Sequence, residues 1–225
     1  MSKILMDGES DASQESLEFI WRGAATLRRV RALNERCLEA LTKVARSDRH
    51  QTTTPAIVGQ YRALWTALNP AARKRAADMP FLLLDMHFQD PQWWRVAQDP
   101  RPQRRRYGMR SPVFPGKVAG ELMRETLMLA WNTVSLDRGA ASILLGMAPA
   151  VRRIVVGFGP EDVERIAARY SRDLQPRWQD LPSFWVKLLT AARSDDDDAL
   201  YESRLHGVQL IGGELLSLLD GEPHE

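Results

Sequence analysis

The chain has a single cysteine, Cys37, among its 225 residues. One thiol excludes a disulfide framework and a cysteine-ligated zinc site within one chain, and it suits a reducing compartment. Long apolar runs are missing as well: nothing approaches the roughly 18 residues a membrane span needs. The opening stretch, MSKILMDGESDASQES, reaches its acids after the short apolar run Ile4 to Met6, which is too short and too acidic for a secretory leader. The expectation is a cytoplasmic protein without membrane contact. Glycine-rich phosphate loops of the GxxxxGK or GxGxxG kind are absent, as is a Ser-His-Asp order around an elbow motif. No alternating run marks a strand, and no fixed-period repeat is present. Net charge is also scarce. The 31 basic and 29 acidic residues leave only +2, so any nucleic-acid surface must be local.

What is present is helical periodicity. Residues 1–12 are polar and read as a disordered N-terminus. From Ser13, apolar residues recur at helical spacing through Leu17, Ile20, Ala24, Leu27, Val30, Leu33, Leu38, Leu41 and Val44, and Cys37 falls among them as a small core residue. The Thr run and Pro55 end that helix. Ile57 to Leu68 reads as one further helix, stopped at Asn69-Pro70, with Pro70 placed to open the next. FLLLDMHF, residues 81–88, is strongly apolar and predicts a buried helix among helical neighbours. Residues 98–117, QDPRPQRRRYGMRSPVFPGK, carry too many prolines and glycines for regular structure and read as a linker or ordered loop. Beyond it VAGELMRETLMLAWNTVSL, the block 136–170, LPSFWVKLLTAAR and a run after Asp195 to Asp198 complete a second helical unit. The fold class is all-α, a multi-helix bundle with a helix-turn-helix-like block in the second half. Its domains are 13–97 and 118–220, joined through 98–117.

Candidate sites are few. Asp85, His87 and Asp90 lie close in sequence, but Asp85 and His87 do not share a helical face, and a metal would need further ligands. No metal site, cofactor or catalytic residue is assigned; an enzyme would have to draw on His87, Asp85 or Glu121, which no spacing links. Trp65, Phe81, Phe88, Trp93 and Trp94 form an aromatic-rich region. Such rings can stack on single-stranded bases, and more commonly fill a core or an interface. The strongest electrostatic feature is the arginine-rich segment. Arg95, Arg101, Arg104, Arg105, Arg106, Arg110 and Lys117 face only Asp99, and guanidinium groups suit phosphates. The alternative for such a run is a solvated basic loop. Arg152 and Arg153 form a second positive point, followed by Arg165 and Arg169 on one helical face.

DRGAASILLG, PAVRRIVVGFG and GPEDVERIAARY can be read as short helices separated by turns, the ingredients of a helix-turn-helix or of a plain bundle. LMLAWNTVSLDRGAASILLGM, Leu127 to Met147, resembles the FlhD family of flagellar transcriptional activator subunits. The matching positions are Leu127, Leu129, Ala130, Asp137, Arg138, Ala141, Leu145 and Gly146. GPEDVERIA falls where that family has a Pro-led helix, and DDALYESRLHGVQLIGGELL resembles its final helix. In the first half, LEFIWRGAATLRRVRAL and MPFLLLDMHFQDPQWW resemble the partner FlhC family, without its zinc cysteines. The chain departs from the FlhD pattern at Leu144, where the family carries a basic residue, and in having no counterpart of the family's linking cysteine. The resemblance implies a non-enzymatic, activator-type transcriptional regulator. It would bind double-stranded DNA as a homo-oligomer, or as a hetero-oligomer with a regulator subunit, and engage RNA polymerase. Arg101, Arg104, Arg105, Arg106, Arg110, Lys117, Arg152 and Arg153 would meet phosphates. Leu127, Trp131, Val134, Leu210 and Leu215 would supply the oligomer interface. The alternative function is a helical adaptor that binds a protein partner in a motility or secretion assembly.

Overall fold

A computed structural model describes residues 6–47, 55–101 and 111–220; Arg104, Arg105, Arg106 and Arg110 lie outside the described residues. The expected all-α architecture is what the chain adopts. In order the helices are α1 (Met6–Arg46), α2 (Ala56–Gln60), α3 (Arg62–Thr66), α4 (Pro70–Ala77), α5 (Pro91–Gln98), α6 (Gly116–Leu136), α7 (Arg138–Leu145), α8 (Pro149–Val155), α9 (Pro160–Tyr170), α10 (Pro182–Ser194) and α11 (Asp197–Asp220). Two short strands, β1 (Leu84–Asp85) and β2 (Gln175–Pro176), pair antiparallel with Leu84 opposite Pro176 and Asp85 opposite Gln175.

Most helix boundaries follow from local chemistry. Asn69 accepts from the Ala72 N–H at 2.8 Å, with Pro70 opening α4. Asp90 caps α5 by accepting from Gln92 and Trp93 N–H groups at 2.9 and 3.0 Å, with Pro91 in the first turn. Asp137 caps α7 in the same way through Gly139 and Ala140. Gly146 ends α7 in the left-handed conformation, φ 65°. Pro149, Pro160 and Pro182 open α8, α9 and α10.

Two expectations fail, each for a non-local reason. The single helix expected over Ile57 to Leu68 is broken at Tyr61 into α2 and α3. The Trp65 indole N–H donates to the Ile57 carbonyl at 2.9 Å, taking the acceptor that a continuous helix would offer to Tyr61. FLLLDMHF is not a helix. It is an extended, buried segment ending in β1 and a turn. Its main-chain groups are satisfied from far away: Leu82 N–H donates to Leu144 O at 2.8 Å, and Leu83 N–H donates to Asn34 Oδ1 at 2.8 Å. Asn34 Nδ2 donates to Phe81 O at 2.9 Å, and Arg177 N–H donates to Leu83 O at 2.8 Å. A segment whose side chains are buried at every position but Asp85, and whose backbone has such partners, has no need of helical bonds.

The helices up to Gln98 and from Gly116 onward share one hydrophobic cluster. α1 packs on α6, α4 on α10, and α5 on both α8 and α9. Arg36 of α1 reaches Glu121 and Glu125 of α6, and Arg75 of α4 pairs with Asp195 at the end of α10. Trp65, Phe81, Phe88, Trp93 and Trp94 are fully buried in this core, so none of these rings is available to stack on a base. Cys37 is fully buried too, and burial pushes its thiol well up from the ordinary value, so it stays protonated. No helix among the described residues is long and apolar enough to cross a membrane.

Candidate nucleic-acid interface and an adjoining polar cleft

The arginine-rich segment leaves the scaffold at the end of α5. There the main chain would present unpaired carbonyls. Arg165 and Arg169, four apart on α9, fill that need. Arg165 donates to Ala97 O at 2.8 Å, Gln98 O at 2.9 Å and Asp99 O at 3.3 Å. Arg169 donates to Asp99 O at 3.2 Å, Pro100 O at 3.1 Å and Arg101 O at 3.1 Å. Cations at a helix C-terminus also complement its dipole. Asp162 orients Arg165 through its Oδ1 and accepts from Gly159 N–H through its Oδ2 at 3.0 Å. Burial pushes the Asp162 carboxyl up, but the Gly159 N–H and Arg165 outweigh it and hold the group below the ordinary carboxylate value. Where the chain returns, the buried Gln175 on β2 donates from Nε2 to Ser111 O at 2.9 Å. The described residues on either side of 102–110, Arg101 and Ser111, are therefore fastened to α9 and β2.

The described cations of the segment face solvent. Arg95 and Lys117 are exposed. The Arg101 side chain is 88% exposed, with Asp99 3.9 Å away. Arg153 is exposed, whereas Arg152 is half-buried and donates to Arg138 O at 2.5 Å. α8 and α9 are joined by a four-residue turn with two glycines, Val156 to Gly159, the dimensions of a helix-turn-helix. The outer face of α9 is acidic, however. Glu161 and Glu164 are exposed there, and Glu164 accepts from Arg124 Nε at 2.7 Å. That hydrogen bond holds Glu164 below its ordinary carboxylate value. With Arg165 and Arg169 turned to carbonyls, α9 offers no free cation to a phosphate.

The residues expected at an oligomer interface divide. Leu127 and Val134 are each 1% exposed and belong to the chain's own core, so they are closed to a partner. Trp131, Leu210 and Leu215 are half-buried against that core. The apolar side chains that do face out on α11 are Tyr201, Leu205, Val208 and Leu216. Like Leu210 and Leu215 they are apolar residues of the same helix, and nothing local tells which side of a long apolar helix the core takes.

Asp85, His87 and Asp90 do meet partners, but from the second half of the chain. They line a cleft of about 490 Å³ with Arg177, Trp178 and Glu214. Glu214 accepts from Gln89 Nε2 at 2.6 Å, Arg177 Nη2 at 3.2 Å and Trp178 Nε1 at 2.5 Å. Arg177 is 3% exposed, and its guanidinium lies 5.2 Å from the Trp178 ring centre. It also lies against Gly146, where an added Cβ would come 1.7 Å from Nη2. His87 stacks on Trp93 with ring centres 4.9 Å apart, and its carbonyl accepts from Trp94 Nε1 at 2.8 Å. His87 and Trp178 both adopt left-handed backbone, φ 53° and 51°. Such strain persists only where the surroundings fix it; here the β1–β2 pair and the indole and carboxylate bonds do so. Among the described residues no group of three His, Cys, Asp or Glu side chains is placed to hold a metal ion. Sequence reading found the His87 end of this cleft and missed Arg177, Trp178 and Glu214, which no motif marks.

Comparison with family models, curated proteins and solved structures found no match to this chain.

Proposed function

We propose that this protein is a DNA-binding transcriptional regulator of the FlhD-like, activator type, and that it engages double-stranded DNA through the arginine-rich segment rather than through α9. The observation that carries the reading is the fastening of that segment at both ends, by Arg165 and Arg169 on one side and Gln175 on the other. Anchored ends lower the conformational entropy that a free basic tail would lose on binding. Arg101 and Lys117 flank Arg104, Arg105, Arg106 and Arg110, so six cations fall within seventeen residues of chain. Guanidinium groups match phosphate oxygens in pairs. Contacts of this kind position a protein on the duplex without reading its sequence. Base reading then belongs to another surface or to a second regulator subunit, and recruitment of RNA polymerase to a third.

Replacing Arg104, Arg105 and Arg106 together by alanine tests the reading. Affinity for a promoter-length duplex should fall, and the slope of log affinity against log salt should shrink by about 2 to 3 units, near 0.9 for each lost phosphate contact. Unchanged affinity and slope would move the DNA surface elsewhere.

A further inference from the structure

The cleft of about 490 Å³ between the β1 turn, the loop after β2 and α11 has the size of a small-molecule site. Arg177 is its most unusual wall. The side chain is 3% exposed, yet its guanidinium makes a single hydrogen bond among the described residues, from Nη2 to Glu214. Nη1 has no partner. A guanidinium taken out of water with donors unused is costly, because its lost hydration is not replaced. The cleft thus offers a ligand's acceptor a positive charge already desolvated and fixed by Glu214, Trp178 and Gly146. The rest of the charged lining has the opposite sign: Asp85, Asp90, Asp180 and Glu214 outnumber Arg177. Glu214 is already engaged by Gln89, Arg177 and Trp178, and Asp90 by the first N–H groups of α5. Asp180 is exposed and has no hydrogen bond or ion pair among the described residues.

We infer that this cleft binds a small zwitterion with an excess of positive charge, a basic α-amino acid of the arginine type. Its carboxylate meets the Arg177 guanidinium and its cationic side chain lies at Asp180. The lining selects this chemistry over its simpler alternatives. An anion alone would satisfy Arg177 but would face the surrounding carboxylates. A metal ion needs converging ligands, and among the described residues no three His, Cys, Asp or Glu side chains converge. Carboxylates set apart suit the delocalised charge of a guanidinium on a flexible stem. A cation without an acceptor would leave the Arg177 donors unused and add a like charge beside them. Trp178 and Leu218 give the methylene stem an apolar wall. The site is independent of phosphate contact by the arginine-rich segment, so either reading stands or falls without the other.

Isothermal titration calorimetry of the full chain with L-arginine tests the site. Binding should saturate at one molecule per chain, with a dissociation constant below about 1 mM. Agmatine lacks the carboxylate and L-citrulline lacks the side-chain charge. Each should bind about tenfold more weakly than L-arginine, as expected for one lost charge-assisted contact. Agmatine removes the partner of Arg177 from the ligand side, so the buried arginine itself stays in place and the fold is not at risk. Asp180→Asn, at an exposed position, should weaken L-arginine about fivefold, leave L-citrulline as it was and keep the helical circular dichroism spectrum. No binding of L-arginine at about 10 mM would overturn the proposal. So would agmatine or L-citrulline binding as tightly as L-arginine, or an Asp180→Asn variant that binds L-arginine as the wild type does.

Discussion

Arg165 and Arg169 on α9 and Arg101 in the segment they hold are the same residue type in adjoining regions. Their side chains face opposite ways. The first two turn their guanidinium groups inward and close six hydrogen bonds to main-chain carbonyls. The third turns its guanidinium to solvent, 88% exposed. Arg177 is the extreme of the inward kind, enclosed between Glu214, Trp178 and Gly146. The difference teaches that arginine content alone says little about a binding surface. What matters is whether the guanidinium still has its hydrogen bonds to give. By that measure α9, arginine-bearing as it is, is a clamp, while Arg101 beyond α5 keeps its guanidinium turned to solvent.

The contrast can be broken most forcefully at Arg177. Arg177→Ala leaves Glu214 without its buried cation and opens space beside Gly146. It should lower unfolding free energy by about 3–5 kcal/mol in a denaturant titration. Gly146→Ala attacks the same contact from the other side. It combines left-handed strain with a collision against Arg177, and about 2–3 kcal/mol of destabilisation is expected. A loss below about 0.5 kcal/mol for either would mean that Arg177 is an ordinary surface cation.

Next in size is the clamp. Arg165→Ala with Arg169→Ala removes all six carbonyl contacts, and the melting temperature should fall as about 2 kcal/mol is lost. DNA affinity should fall with it, because the segment loses one anchored end. By contrast, the triple alanine change at Arg104, Arg105 and Arg106 should leave stability within about 0.5 kcal/mol while DNA affinity drops. If the clamp variant melts as the wild type does, the inward role of Arg165 and Arg169 is wrong; if the triple variant unfolds, its loss of DNA affinity no longer reports on phosphate contact.

How much of this was legible in the sequence depended on how local the cause was. Asn69-Pro70, Asp90-Pro91 and Gly146 set their helix boundaries with bonds to residues two to five positions away, and sequence reading places the first and last of these directly. FLLLDMHF misled because its backbone partners are Asn34, Leu144 and Arg177, which no window around residue 84 contains. Arg165 and Arg169 were recognisable as one helical face, but the carbonyls they meet lie some seventy residues earlier. The cleft was half visible: Asp85 and His87 stand together in the chain, while Glu214 reaches them from α11. Leu127 and Val134 were recognised as apolar and helical. That they face their own core rather than a partner is decided by α6 packing on α1 and α9.

The smallest effect expected concerns pH. Asp162 is held below its ordinary carboxylate value in the folded chain, so its contribution is present above the unfolded value of about 3.9 and is lost as pH falls through the folded one. Asp162→Asn should therefore flatten the acid limb of a stability-against-pH curve while costing less than about 1 kcal/mol at neutral pH. An acid limb that is unchanged would detach Asp162 from the clamp.

The central proposal is that the arginine-rich segment, held at its flanking residues, meets duplex phosphates. Its most direct test is fluorescence anisotropy of the full chain on a labelled duplex across a salt series. The account predicts a log–log slope of roughly −4 to −5, as expected for about five phosphates neutralised. A slope near zero, or no binding at low salt, would contradict it.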